Sequence, residues 1–451
     1  MKVLNKVLLL GSASMMMLFS SCTQDADNAG DVDDNFLNFE IPTIKPTEPY
    51  AVGAYYINPG ENGQNSDRYA RLEEVSDKAA GQLGPYVRLQ LGNYRIKPNS
   101  NDLDDEMVDN VQQHVDWAIE NGIDFFILPS LKPSTTKVYP EAFQGSDQFY
   151  NMMIGKNFVN GGTEDEPEEG KTYGKKVDLK SLKFIAQADV NSPLANGECK
   201  IMGENGVLTN TSTTKLDYKH PLEDNDSYVT YLGNKLYTRT DMYIEFFCSL
   251  DTYFKDEHYY RYNGRPVVLL QGMNNVYLRD CQAFFQKIRE AVKERTCEDI
   301  YLVARQDPWS PAARFQHFYK GVDAITFGNM YLQGEWTRSL CYPQMIYRNW
   351  EYNRQYWEKN WNGTDFIPTG PVAFNRYVDN GEGSWPIVEM NPETFRTICN
   401  VMKAQSGKCR IMFIDSFNDI QYDSFLEPTN PEYGNGQGDA FLKVCKEEFK
   451  P

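Results

Sequence analysis

The stretch Cys409-Arg-Ile-Met-Phe-Ile-Asp-Ser-Phe-Asn-Asp-Ile-Gln-Tyr-Asp-Ser-Phe-Leu-Glu-Pro428 decides the fold. It opens as a short apolar run, Ile411 to Ile414, which predicts a strand buried on both faces. Polar groups then crowd in: Asp415, Ser416, Asn418, Asp419, Gln421, Tyr422, Asp423 and Glu427. A buried strand that opens into clustered carboxylates is the pattern expected at the C-terminal mouth of a parallel barrel, where such folds build their sites.

Working outward, apolar strand runs alternate with helical patterns, which argues for parallel βα units. The strand runs begin at Tyr50–Ile57 and continue at 123–128, 182–188, 265–270, 300–304, 322–327 and 366–374. Helical periodicity fills the gaps at 105–121, 149–158, 241–259, 279–294, 312–319, 340–360, 391–405 and 438–449. Met107, Val111, Val115 and Ala118 share one helix face, and Gly122 supplies its stop. Asn391-Pro392 opens another helix with a cap and a proline in the first turn. With the stretch after Cys409 as the last strand, the count reaches eight, the number that closes a (β/α)8 TIM barrel. A doubly wound open sheet would carry a Gly-rich first turn, and none is present. Two insertions interrupt the pattern, at 159–181 and 190–237. The second follows the third strand and is placed to wall the mouth, with room for a hairpin.

The N-terminus reads as an export signal. Lys2 and Lys6 precede an apolar stretch too short to span a bilayer, which ends in Leu18-Phe-Ser-Ser-Cys22. This resembles a bacterial lipobox. It implies cleavage after residue 21, lipidation of Cys22 and anchoring to the outer membrane, with the acidic residues after Cys22 pointing to the cell surface. Residues 22–48, rich in Asp, Asn, Pro and Thr, are expected to form a flexible tether ahead of a single domain over 49–451.

The net charge of -18 gives no electrostatic footprint for nucleic acid or for an anionic lipid surface. Only 4 His occur, with no HExxH or CxxC pattern, so neither a metal nor a cofactor is expected. Buried thiols are the expected fate of most cysteines in a domain of this size. The aromatic share of 14% suits a large core, which takes most of these rings, and also suits stacking on sugars, in keeping with the oligo- or polysaccharide partner that a family resemblance implies; the chain is expected to be a monomer.

Three places carry a family resemblance. They are Val52-Gly-Ala-Tyr-Tyr-Ile57 with His114-Val-Asp-Trp-Ala-Ile-Glu-Asn-Gly-Ile-Asp-Phe-Phe126, then Tyr253 to Val268, then Asp415-Ser-Phe-Asn-Asp419 through Glu427-Pro428. Together they resemble glycoside hydrolase family 99, with a looser likeness to family 71. The resemblance implies a (β/α)8 barrel and retaining, endo-acting hydrolysis of α-linked mannose. In that chemistry one carboxylate takes the proton of the sugar 2-OH and a second serves as acid and then base at the glycosidic oxygen. Laid on this chain, Asp419 falls at the first carboxylate, one methylene shorter than the family's Glu. The second falls on Tyr422, a phenol of reference pKa about 10 and a poor neutral-pH donor. Asp189, Asp307 and Glu335, expected at or near other strand ends, are candidates for the missing carboxyl. Asn418, Tyr422, Asp423, Glu427, Asp307, Trp309, Tyr331, Trp336 and Arg376 are candidate sugar contacts, and Trp385 is placed on the same face. The competing reading is a non-catalytic carbohydrate-binding protein on a degenerate hydrolase barrel.

Overall fold

The computed structural model describes residues 37–57, 66–79, 86–96, 105–134, 136–145, 147–154, 177–190, 200–202, 208–210, 228–232, 235–272, 280–306, 320–328, 341–360, 363–376 and 388–451. Ala51–Tyr55, the first strand, lies between Phe125–Ile127, the second, and Ile411–Asp415, the eighth, parallel to both. Parallel pairing then runs from the second strand to Lys183–Asp189, Arg265–Gln271, Tyr301–Gln306 and Ala324–Phe327, the third to sixth strands. Closure falls to the seventh strand, which Pro368 divides. Its first half, Asp365–Ile367, pairs with the sixth strand, and its second half, Thr369–Pro371, pairs with the eighth. Proline has no N–H to continue a ladder, so a change of neighbour at that residue sacrifices no hydrogen bond from it. The ring of eight strands is therefore complete: the fold is a (β/α)8 TIM barrel.

Side-chain alternation along the strands makes two cores. Tyr55, Phe125, Ile127, Ile185, Leu269, Val303, Ile367 and Phe413 fill the barrel interior. Their alternate neighbours, such as Val52, Phe126, Phe184, Val268, Leu302, Met412 and Ile414, face outward and pack with helix residues including Val111, Phe246, Ile288 and Ile398. At Gly53 a Cβ would lie 2.1 Å from the Phe125 ring, so only glycine lets that ring fill the barrel.

Most expected helices form close to their expected bounds, at Asp105–Glu120, Cys281–Thr296, Tyr342–Asn360, Pro392–Ala404 and Ala440–Phe449. Asn391 caps its helix, its side chain accepting from Glu393 N at 2.8 Å. The helix expected over 241–259 is shorter. It runs Arg239–Ser249 under a Thr238 capping box, and a separate turn, Asp251–Phe254, follows. The helix expected over 149–158 is Asp147–Met153. Ser66–Ala79 is a helix that the periodicity did not announce. The helix expected at 312–319 lies outside the described residues, as does most of the 159–181 insertion. Within 190–237 the expected hairpin is part of a four-stranded antiparallel sheet, whose last strand is Lys235–Thr238. No disulfide joins the seven described cysteines.

The stretch read as a tether is held to the domain from Phe39 onward. Ile44 N donates to Asn400 Oδ1 at 2.8 Å, and the Lys403 ammonium donates to Ile44 O. Phe39 stands edge-on to Tyr347 and beneath the Arg348 guanidinium, 4.4 Å from ring centre to Cζ. Lys403 is fully buried and also pairs with Glu448. Glu448 keeps Arg396 as a partner at 2.7 Å, so losing Lys403 removes one buried charged hydrogen bond, a loss of about 2 kcal/mol. Lys403→Ala should lower unfolding stability by roughly that amount and loosen the 37–48 strap, as read by urea denaturation and by faster amide exchange at Ile44.

Candidate active site

Alternation along the eighth strand carries the barrel interior to its mouth. Ile411 and Phe413 point inward, and Asp415 follows them at the same parity. On the fifth strand Val303 points inward and Arg305 follows by the same rule. The two meet: Arg305 Nη2 lies 3.3 Å from Asp415 Oδ2. The guanidinium also sits over the Tyr55 ring, 4.7 Å from its centre. Burial pushes the Tyr55 phenol up to about 12, with Arg305 drawing it down and Asp415 pushing it further. An inward polar layer thus replaces the apolar core at the C-terminal end.

The chain turns sharply after Asp415, through a cis peptide bond to Ser416. Phe417 N then donates to Tyr55 O at 2.8 Å, which lays the turn across the end of the first strand. Asn418–Asp419 and Ser424–Phe425 form a minimal antiparallel pair, with a single 3₁₀ turn, Ile420–Tyr422, between them. Asp419 caps that turn, its Oδ1 accepting from Gln421 N at 3.2 Å. The turn returns Asp419 to the mouth that Asp415 already occupies.

A cavity of about 330 Å³ opens there, lined by Tyr55, Ile127, Ser130, Gln187, Arg305, Asp415, Asp419 and Tyr422 among others. The Asp419 carboxyl is pushed up to about 7, first by burial and second by the charge of Asp415, against the pull of Arg68 and the Gln421 and Tyr422 amides. Two carboxyls in one cavity therefore have unlike roles available. Asp415 is ion-paired, whereas Asp419 holds its proton into the neutral range, and such a split marks acid–base sites.

The other sequence candidates are distributed unevenly. Tyr422 lines the cavity with its ring stacked on Phe374, centres 5.5 Å apart, so one ring face is already occupied. Asn418 is buried beneath the turn, its side chain bonded to the backbone of Ile57. Asp423 is buried, in the left-handed region at φ 57, and burial pushes its carboxyl up to about 8. Glu427 is buried, accepts from the Tyr94 hydroxyl at 2.7 Å and faces His114 Nε2 at 3.6 Å. Asp189 closes the third strand, 3.9 Å from the Lys132 ammonium. Arg376 is exposed beyond the seventh strand. Asp307, Trp309, Tyr331, Glu335, Trp336, Trp385 and Cys22 lie outside the described residues. No cluster of three metal-ligating side chains occurs among the described residues.

Asp415, Arg305, Tyr55 and Gln187 were not singled out as site residues from sequence. The signal for Asp415 was present, because it continues the inward parity of Ile411 and Phe413. The Arg305 signal exists only once the fifth and eighth strands face each other.

Comparison with known proteins bears on this geometry. Residues 225–444 match the family model described as "Glycosyltransferase WbsX". A solved "Glycoside hydrolase-like protein" superposes with a TM-score of 0.62 at 22% identity, over 93% of this chain and 99% of that one. The two share the barrel fold. The GH99 endo-α-mannosidase from Bacteroides thetaiotaomicron also aligns, with a TM-score of 0.48 at 10% identity, over 89% of this chain and 97% of that one. The barrel expected from the sequence is supported by the first of these superpositions. No curated protein matches the chain.

The raised Asp419 carboxyl has a consequence for stability. A folded-state pKa above the unfolded value of 3.8 means that protonation favours the native state. That contribution is fully present below about pH 4 and is lost as pH rises through about 7. Asp419→Asn removes the need to bury a charge. It should raise the melting temperature relative to wild type at pH 8 and change it little at pH 4.5, as measured by calorimetry at both pH values.

Proposed function

We propose that this protein is a glycoside hydrolase that cleaves an α-linked glycan, with Asp419 as the proton-transferring carboxyl. The observation that carries the reading is the carboxyl pair in one barrel mouth, with Asp419 held near neutral pKa and Asp415 held by Arg305. A group that titrates near the working pH can both give and take a proton, which retaining hydrolysis asks of one residue in turn. Asp415 supplies fixed negative charge beside the place where positive charge develops on the sugar ring. Tyr422, at the position where the family resemblance places the second carboxylate, contributes a hydroxyl and an aromatic edge to the cavity wall. The resemblance to family 99 supports retaining, endo-type action on mannose linkages. The name of the matching family model adds glycosyl transfer, in which a sugar hydroxyl replaces water as acceptor at the same carboxyls.

The export signal and lipobox support a lipoprotein anchored through Cys22 at the outer membrane and exposed at the cell surface. Surface placement gives such an enzyme first access to polymers too large to be imported. Metabolic labelling with a fatty-acid analogue, abolished by Cys22→Ala, tests the anchor.

One observation favours a binding-only protein. Tyr422 replaces the expected carboxyl and is packed on Phe374, so the resemblance's acid–base pair is incomplete. A panel of α-linked glycans separates the two readings. Hydrolysis predicts release of new reducing ends by wild type and a loss of roughly 10²–10⁴-fold in Asp419→Asn, with glycan affinity retained. Tight glycan binding with no reducing ends from wild type over long incubation would establish the binding protein instead.

A further inference from the structure

Resting on the hydrolytic reading of the mouth, we infer that Asn418 is a positioning residue that fixes the Asp419 carboxyl against the cavity wall. Asn418 is completely buried and reaches no part of the cavity, so a role as a sugar contact does not fit its surroundings. Its side chain instead does the work of a strand neighbour. Its Oδ1 accepts from Ile57 N at 2.8 Å, and its Nδ2 donates to Ile57 O at 2.9 Å. A side-chain amide carries a donor and an acceptor on adjacent atoms, which matches the two groups of a single peptide residue. Ile57 lies two residues past the end of the first strand, and Tyr55 and Tyr56 just before it line the cavity. The two bonds therefore clip the turn that carries Asp419 onto the strand that supplies the facing wall.

A second set of bonds fixes the same turn from its other side. Asp419 N donates to Ser416 Oγ at 2.7 Å, and Ser416 Oγ donates to Ser424 O at 2.8 Å. Ser424 Oγ in turn donates to Asp415 O, so the backbones of both carboxyl-bearing residues hang on this serine pair. Asp419 itself touches the first strand through none of these bonds. Its position depends on its neighbour, and so does the dehydration that sets its proton affinity. A loosened turn lets water reach the carboxyl, and its titration should then fall towards that of an ordinary aspartate.

The test reads that titration directly and needs no substrate. Carboxyl ¹³C signals of aspartate-labelled protein are followed from pH 4 to 9 in wild type, with Asp419→Asn and Asp423→Asn used to assign the two raised signals. The expected wild-type Asp419 midpoint lies near 7. In Asn418→Ala it should fall by at least one pH unit, with the Asp423 signal unmoved. Ser416→Ala, an independent lesion of the same turn, should shift the Asp419 midpoint the same way and serves if the Asn418 variant does not fold. On any cleaved glycan, Asn418→Ala should lower kcat at least tenfold with KM within threefold, and should move the neutral limb of the pH profile to lower pH. An Asp419 midpoint unchanged in folded Asn418→Ala, or in folded Ser416→Ala where the first variant fails, overturns the inference while leaving the hydrolytic reading intact. A wild-type Asp419 that titrates as an ordinary aspartate overturns the reading of the mouth and this inference with it.

Discussion

The barrel can hold a charged layer at its mouth only because its ring of strands closes, and closure depends on the strand that Pro368 divides. Asp365–Ile367 completes the sixth strand's ladder and Thr369–Pro371 completes the eighth's. Without the second half, the eighth strand would be a free edge and Asp415 would project from a frayed end. With it, the eighth strand is paired on both sides and its inward residues have one direction to point. Phe413 fills the interior, and Asp415, two residues on, meets Arg305 across the ring. Backbone hydrogen bonding therefore fixes the electrostatics of the site before any side chain in the cavity makes a choice.

The architecture was legible because the interior and the helix-facing shell impose the two simplest sequence periods. Continuous apolar runs such as Val267–Leu270 and Tyr301–Ala304 are what strands buried on both faces require, and eight of them leave few topologies. Boundaries were less legible where local bonding overrode pattern. The helix expected to reach Tyr259 stops at Ser249, although apolar residues continue past it. The segment before Tyr50 has too little apolar content to announce its docking. It is held instead through backbone groups of Phe39, Ile44 and Glu48, which composition does not reveal.

The site was legible in half. Asp419 stood out because carboxylates cluster there and because of the family resemblance. Tyr422 was flagged as a departure, and it does line the cavity. What sequence could not supply was the partner, because Arg305 and Asp415 are far apart in the chain and become neighbours only across the barrel. The motif also misdirects. Asn418, Asp423 and Glu427 look like site residues in a list of polar groups, yet all three are buried under the turn. Polarity in a strand-end loop does not distinguish a group that faces solvent from one that holds the loop.

That distinction explains why so many polar groups are packed into one short turn. Dehydrating Asp419 enough to raise its proton affinity requires the turn to be held tightly against the first strand, and a tight turn leaves backbone groups that need partners. Asn418, Ser416 and Ser424 provide them. On the far side Glu427 is anchored by Tyr94 beside His114, which joins the end of the turn to the helix Asp105–Glu120. Each buried polar group destabilises the fold unless it is satisfied, so the turn is costly as a connection between a strand and a helix. A connection with no other duty could be made from glycine and exposed polar residues. The concentration of buried polar groups around a carboxyl that keeps its proton near neutral pH is the arrangement expected where rigidity at one atom matters, and proton transfer is a task that needs it.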